Sequence, residues 1–190
     1  MFYSKTNKQL LEIRNAIFVE EGIPALEKNT FELDPFKTSW HGQYDTGIQG
    51  YIHQYSRLKK ERFLERIQVY ILKNERRIQI NLNIFELTPR LDALSNLNKY
   101  EGIKLGISPN NHTEMRLRSD DYKGPPLFYL LFFPEHKLGK FNNKTSFSKE
   151  VLKLSRLIRK DMENIDSFIK RWHEIHTPNI IDWEGNPVSQ

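Results

Sequence analysis

The sequence predicts a single α+β domain over residues 1–190, with a mainly antiparallel sheet of about five strands. The N-terminal helix and a long C-terminal helix are expected to pack on one face of this sheet. Two patterns support the prediction. In the middle of the chain, apolar and polar residues alternate with the period of two that is typical of half-buried strands, and near both ends apolar residues recur at helical spacing. No repeat or linker divides the chain, and the tail from about residue 177 is expected to be irregular.

The first predicted element is a helix from about Thr6 to Glu21, because apolar residues recur there three and four positions apart. Thr6 and Gln9 have the spacing of a capping box, in which each residue pairs with the backbone of the other. Gly22 fits the left-handed residue that ends many helices. Between residues 25 and 50 the patterns weaken, and they predict loops with one or two short strands.

The strongest local signal is a β-hairpin within residues 64–86. A tight turn centred on Asn74 and Glu75 defines its register, although a four-residue loop would give the same pairing. This register opposes Ile71 to Ile78, Val69 to Ile80 and Ile67 to Leu82. A slip of one residue would set apolar against polar side chains throughout, so the pattern and the turn agree.

Further elements are predicted downstream. A short helix is expected from Thr88 to Leu97, where proline follows a capping threonine. A strand is expected at His112 to Arg118, and the apolar run Leu127 to Phe133 favours a central strand buried on both faces. The stripe from Phe147 to Trp172 predicts a helix of about 30 residues, with a kink at Asp161 to Asn164 as the alternative.

Composition excludes several classes of function. There is no cysteine, which removes disulfides, thiol nucleophiles and cysteine-based zinc sites and suits a reducing compartment. The longest apolar run has seven residues, far fewer than the roughly 20 that span a bilayer. The N-terminus lacks the pattern of a signal peptide. We therefore expect a cytoplasmic protein without a membrane partner.

Catalytic and cofactor motifs are also missing from the sequence. It contains no G-x-S-x-G, no G-x-G-x-x-G and no phosphate-binding P-loop motif. His173 and His176 are three residues apart, whereas the zinc motif H-E-x-x-H requires four. No metal or other cofactor is predicted. A hydrolase that uses a histidine or an aspartate in the loops around Trp40 or Asp120 remains one alternative function.

The main functional hypothesis concerns the polar side of the sheet. If the strand from Tyr51 to Leu58 joins the hairpin, one side can present aromatic rings for stacking and amides for directional hydrogen bonds. The candidate ligand-binding residues are Tyr51, His53, Tyr55, Arg57, Arg66, Gln68, Tyr70, Gln79, Asn81 and Asn83. Asn and Gln are disfavoured in strands, so three of them at alternate positions are unusual. This pattern favours a non-catalytic module that binds a protein or a small molecule, against the alternative of an ordinary solvated face.

A second alternative is nucleic-acid binding. Lys149, Lys153, Arg156 and Lys160 recur at steps of four, three and four on the last helix. Such a row can follow a phosphate backbone, but it is also typical of a solvated helix face. A net charge of +5 over 190 residues is mild for a nucleic-acid-binding protein. The sequence does not indicate an oligomeric state.

Overall fold

Three antiparallel strands of ten residues form the centre of the fold in the computed structural model, which describes residues 4–37, 41–125, 134–139 and 141–188. Shorter strands of two or three residues extend this centre into a seven-stranded sheet with the order β1-β3-β4-β5-β6. In addition, β2 pairs with β3, and β7 runs parallel to β5. The strands are β1 (Glu32–Leu33), β2 (Tyr44–Asp45), β3 (Gly50–Lys59), β4 (Phe63–Leu72), β5 (Ile78–Leu87), β6 (Met115–Arg116) and β7 (Asn179–Ile181).

The α-helices come from the two ends of the chain, as predicted. They are α1 (Asn7–Ile17), α2 (Ile23–Lys28), α3 (Lys144–Glu163) and α4 (Ile165–Ile175). The capping box of Thr6 and Gln9 is present at the start of α1. The C-terminal stripe is broken at Asn164, which confirms the kinked alternative: its side-chain amide donates to the Lys160 carbonyl at 2.7 Å, within the last turn of α3.

Gly22 does not end the first helix, so the prediction of a left-handed stop there is wrong. The chain continues through a π-helical turn, Phe18–Gly22, directly into α2, and Gly22 keeps a helical φ of −75°. A β-carbon at Gly22 would lie 2.6 Å from a ring carbon of Phe18 and 3.2 Å from Ile158 of α3. Glycine is required here because the ring and the neighbouring helix approach the backbone closely.

The register predicted for the hairpin is confirmed, with Ile71 opposite Ile78, Val69 opposite Ile80 and Ile67 opposite Leu82. These side chains are fully or almost fully buried, and they belong to one cluster with the apolar stripes of the helices. Helix residues of this cluster include Leu11, Phe18, Leu154, Ile158 and Trp172. We call this side of the sheet the helix-covered face.

Loops cover part of the other side. A second apolar cluster joins one end of the sheet to the segment after β5 and to the tail, through Phe36, Leu64, Phe85, Leu87, Leu91, Leu97, Leu105 and Ile181. The segment expected to form a helix from Thr88 has only a 3₁₀ turn at Leu94–Leu97, and the strand expected at 112–118 is reduced to β6. The tail is more ordered than predicted, because it contains β7. The strand predicted at 127–133 lies outside the described residues.

Candidate functional site

The register of β3 divides the predicted binding residues between the two faces of the sheet. Tyr51, His53, Tyr55 and Arg57 lie opposite Ile71, Val69, Ile67 and Glu65 of β4, and therefore on the helix-covered face. Only Arg66, Gln68, Tyr70, Gln79, Asn81 and Asn83 share the other side, which we call the polar face. The prediction that all of them line one side is wrong. The loop between β3 and β4 consists of residues 60–62, and its length sets the side on which each residue of β3 lies, because a change of one residue would reverse it.

Arg57 has a structural role on the helix-covered face. Its Nε donates to Glu65 at 2.6 Å, and its two terminal nitrogens donate to the Asn29 carbonyl and, at 2.5 Å, to Asp166 of α4. The guanidinium also lies 4.6 Å from the centre of the Phe31 ring. Burial raises the pKa of Glu65, and Arg57 partly offsets this effect. Arg57 is therefore not available to an anionic ligand.

The aromatic residues of β3 on this face also belong to the interior. His53 is only 2% exposed and its Nε2 lies 2.8 Å from Oδ1 of Asn15 in α1. Burial and the neighbouring His41 lower the pKa of His53 to about 4, so it is neutral near pH 7. Tyr55 is buried in the core, and the hydroxyl of Tyr51 donates to a helix carboxylate. These three residues pack the sheet against the helices.

On the polar face, the antiparallel pairing aligns the remaining candidates in rows that run across the strands. Directly opposed side chains on one face are about 5 Å apart, so the members of a row are neighbours. The first row is Ile52, Tyr70 and Gln79, the second is Gln54, Gln68, Asn81 and Arg116, and the third is Ser56, Arg66 and Asn83. We call the second row the amide row. The sequence did not indicate Gln54 and Ser56, because their side of β3 was assigned to the other face, and it did not indicate Arg116, because the position of its strand in the sheet was undetermined.

Two members of the third row have well-defined partners. Nε of Arg66 donates to a carboxylate oxygen of Asp34 at 2.6 Å, and both side chains are buried. The amide of Asn83 donates to the Asn110 carbonyl at 2.8 Å, and its oxygen accepts from the Thr113 hydroxyl at 2.9 Å. These contacts attach the loops to the sheet, and they limit access to this end of the polar face.

The amide row and its surroundings contain buried polar atoms that have no hydrogen-bond partner among the described residues. These are Oε1 of Gln54 and Oγ of Ser56, whose side chains are 1% and 0% exposed, and Nε of Arg116. Gln68 and Asn81 make no side-chain hydrogen bond within the described part of the chain. Buried polar groups are nearly always paired, so several unpaired ones on one face require an explanation.

Glu114 and Tyr70 add titratable groups to the polar face. Burial raises the pKa of Glu114; Arg66 partly offsets the rise and Asp120 adds to it. Burial also raises the pKa of Tyr70, with a further contribution from Glu114 that Arg66 opposes. Glu114 and Arg116 alternate around Met115, a pattern that predicted a strand here but not its neighbour; the structure pairs this strand with β5.

A buried ionic cluster lies away from the polar face, at Asp161 of α3. Arg118 donates to both oxygens of Asp161 at 2.6 Å, and Nε2 of His136 lies 2.7 Å from Oδ2. Burial alone would raise the pKa of Asp161, but the hydrogen bonds from Arg118 and His136 outweigh it and lower the pKa. The adjoining cavity measures about 20 Å³, which is room for a single water molecule. Both carboxylate oxygens are occupied, so the cluster connects α3 to the loops rather than forming a substrate site.

The loops proposed for a hydrolase do not provide a better site. Asp120 is exposed and accepts a hydrogen bond from the backbone of Arg116 at 2.8 Å. Trp40 lies outside the described residues, and its neighbour His41 accepts from the backbone N–H of Gln54. Within the described ranges, no group of three or more His, Asp or Glu side chains is placed to hold a metal ion.

The basic row on α3 is accessible. Lys149, Lys153, Arg156 and Lys160 are all exposed, and none of them forms an ion pair with another described residue. The row extends over 11 residue steps, or about 16 Å of helix. Four free cations on one side of a helix can contact an extended anion.

Comparison of the chain with protein-family models, with curated proteins and with solved structures finds no match. None of the helices in the described parts of the chain is long and apolar enough to cross a lipid bilayer.

Proposed function

We propose that this protein is a non-catalytic binding module that holds a small polar molecule against the amide row. The observation that carries the proposal is the set of unpaired buried atoms on one face, namely Oε1 of Gln54, Oγ of Ser56 and Nε of Arg116. Leaving a buried polar group unpaired costs about 1–3 kcal/mol. A ligand that supplies the missing partners would recover this free energy on binding.

The residues of the polar face define the chemistry of such a ligand. Amide side chains donate and accept hydrogen bonds, so Gln54, Gln68 and Asn81 suit a molecule that carries both donors and acceptors. Arg116 adds a cationic donor, and the ring of Tyr70 adds stacking area. We infer a small, planar, polar molecule whose groups alternate between donor and acceptor.

Burial favours a small molecule over a protein partner on this face. Five polar residues of the three rows are buried: Gln54, Ser56, Arg66, Asn81 and Asn83. A stable protein interface requires about 800 Å² of accessible surface on each partner. Side chains that are less than a tenth exposed provide little of that area, so they disfavour a protein partner on this face.

The test is to isolate the protein without denaturant and to compare its mass by native and by denaturing mass spectrometry. The wild-type protein should release a small molecule on denaturation, and the Gln68→Leu/Asn81→Leu variant should not. A matched control is Gln43→Leu/Asn98→Leu, which changes two exposed residues of the same types. At about 100 times its Kd, the released compound should add about 2.7 kcal/mol to the free energy of unfolding when it is returned to the wild-type protein.

Two results would contradict the proposal. One is a wild-type protein that carries no small molecule and gains no thermal stability from any amino acid, nucleoside or sugar tested. The other is an adduct that the Gln68→Leu/Asn81→Leu variant retains in full, because binding would then lie elsewhere.

Nucleic-acid binding is the second candidate, and the free basic row on α3 favours it. The experiment is fluorescence anisotropy with mixed-sequence DNA and RNA oligonucleotides at several salt concentrations. Contact of all four cations with single-stranded phosphates predicts that log K falls by about 3 for each tenfold increase in salt. Neutralising Lys149, Lys153, Arg156 and Lys160 to glutamine should remove this dependence. Absent or salt-independent binding would eliminate this candidate.

A further inference from the structure

A cavity of about 440 Å³ opens between α1, the tip of the β4–β5 hairpin and the segment before α3. It is separate from the polar face, because α1 packs on the opposite side of the sheet. The cavity is lined by four cationic side chains, Lys5, Arg14, Lys73 and Arg76, and by one carboxylate, Glu75. Its lining therefore has a net formal charge of +3. We call it the basic cavity.

The basic cavity contains a buried guanidinium, that of Arg14. Its side chain is 1% exposed, one terminal nitrogen donates to the Leu72 carbonyl at 2.8 Å, and its buried Nε has no hydrogen-bond partner in the part of the chain that the structure describes. Burial lowers the pKa of Arg14 to about 10, and Glu75 partly offsets the effect. The guanidinium is thus still charged at neutral pH, and no ion pair with a described carboxylate neutralises it. A buried charge without a counterion is costly, and a bound anion would compensate it.

The other charged side chains around the cavity also favour an anionic ligand. Lys73 and Arg76 form no ion pair with any described residue, and they flank the turn at the tip of the hairpin. The carboxylate of Glu75 accepts a hydrogen bond from the Gln79 amide at 2.6 Å. The single negative group already has a partner, whereas Lys73 and Arg76 remain available to a ligand.

We infer that the basic cavity binds the phosphate group of a small phosphorylated metabolite. A phosphate dianion carries several acceptor oxygens and pairs strongly with guanidinium and ammonium groups. The volume falls within the roughly 300–1,000 Å³ typical of small-molecule sites and exceeds what a bare phosphate needs. The side chains of Leu10 and Phe141 also line the cavity, and they give the organic part of the ligand an apolar contact.

The test is isothermal titration of the full chain with inorganic phosphate and with phenyl phosphate, at an ionic strength held constant with sodium chloride. Both probes should bind, and phenyl phosphate should bind more tightly, because its ring can contact Leu10 and Phe141. The variant Lys73→Gln/Arg76→Gln keeps the buried Arg14 and should fold normally. Its Kd for phenyl phosphate should rise about tenfold or more, which corresponds to about 1.4 kcal/mol.

The control variant Arg90→Gln/Lys99→Gln removes the same net charge from two exposed positions in the segment after β5, at the end of the sheet opposite the hairpin tip. Its Kd should match that of the wild-type protein. An equal loss in both variants would attribute binding to net charge and would overturn the proposal. The absence of binding by both probes would also overturn it, and equal affinity for the two probes would rule out the phosphorylated metabolite in favour of inorganic phosphate. None of these outcomes bears on the amide row, so the two sites are tested separately.

Discussion

Replacing Gln54 by methionine tests whether the polar face contains unpaired groups in the free protein. Oε1 of Gln54 has no hydrogen-bond partner among the residues that the structure describes, and the side chain is almost completely buried. Methionine has a similar length and flexibility but no polar group that requires a partner. An unpaired buried polar group costs about 1–3 kcal/mol. We therefore expect Gln54→Met to raise the free energy of unfolding by about 1 kcal/mol or more.

Gln79 provides a matched control on the same face. It is also a glutamine in a central strand, but its amide donates to the Glu75 carboxylate at 2.6 Å. A hydrogen bond to a charged group contributes about 1.5–3 kcal/mol when buried, and less where water reaches it. The substitution Gln79→Met should therefore lower the free energy of unfolding by about 1 kcal/mol. The two substitutions, chemically identical, should have effects of opposite sign.

Urea unfolding followed by circular dichroism measures both effects, because a change in midpoint at constant slope reports a change in stability. The proteins should first be unfolded and refolded, so that any molecule bound in the cell is removed. If Gln54→Met destabilises the refolded protein by about 1 kcal/mol or more, the side chain is paired in the free protein. The argument for a ligand at the amide row would then fail.

Three further predictions concern the interior. Burial lowers the pKa of His53 to about 4 from 6.5, so the free energy of unfolding of the wild-type protein should fall by about 3 kcal/mol as the pH falls from 6.5 to 4. In urea titrations across that range, the free energy of unfolding of His53→Gln should fall by correspondingly less. The substitution Gly22→Ala places a β-carbon 2.6 Å from the Phe18 ring and should lower the free energy of unfolding by about 1–3 kcal/mol in urea. Asp161→Asn removes the charge that pairs with Arg118, and in urea it should lower the free energy of unfolding by about 3 kcal/mol.

Each of these predictions has a contrary result. An equal acid sensitivity of wild type and His53→Gln would mean that the pKa of His53 is not lowered in the folded state. A urea midpoint unchanged by Gly22→Ala would mean that the added methyl group does not clash with Phe18. Full stability of Asp161→Asn would show that the ionic cluster contributes little and would reopen the question of its function.

The β4–β5 hairpin shows what could be predicted locally. Its alternation and the turn expected around Asn74 and Glu75 lie within 25 residues of each other and point to the same register, and Ile67, Val69 and Ile71 do lie opposite β5 as predicted. The β3–β4 connection carries no comparable signal. Lys60 and Glu61 both adopt left-handed φ values, of 53° and 55°, without the glycine or asparagine that usually marks such a turn. The length of this loop, and with it the face on which Tyr51 and His53 lie, was therefore not evident.

The sequence by itself determined the α+β class, the terminal helices and the pairing of the central hairpin, because these follow from local periodicity and from short-range turns. Only the tertiary structure decided which polar residues share a face. Gln54, Ser56 and Arg116 lie on the polar face, and Tyr51, His53, Tyr55 and Arg57 lie on the helix-covered face. The tertiary structure also brought Arg14 of α1 to the hairpin tip and Asp161 to His136. Such contacts join residues that are distant in the chain, and whether a polar group is paired or unpaired depends on every element packed around it.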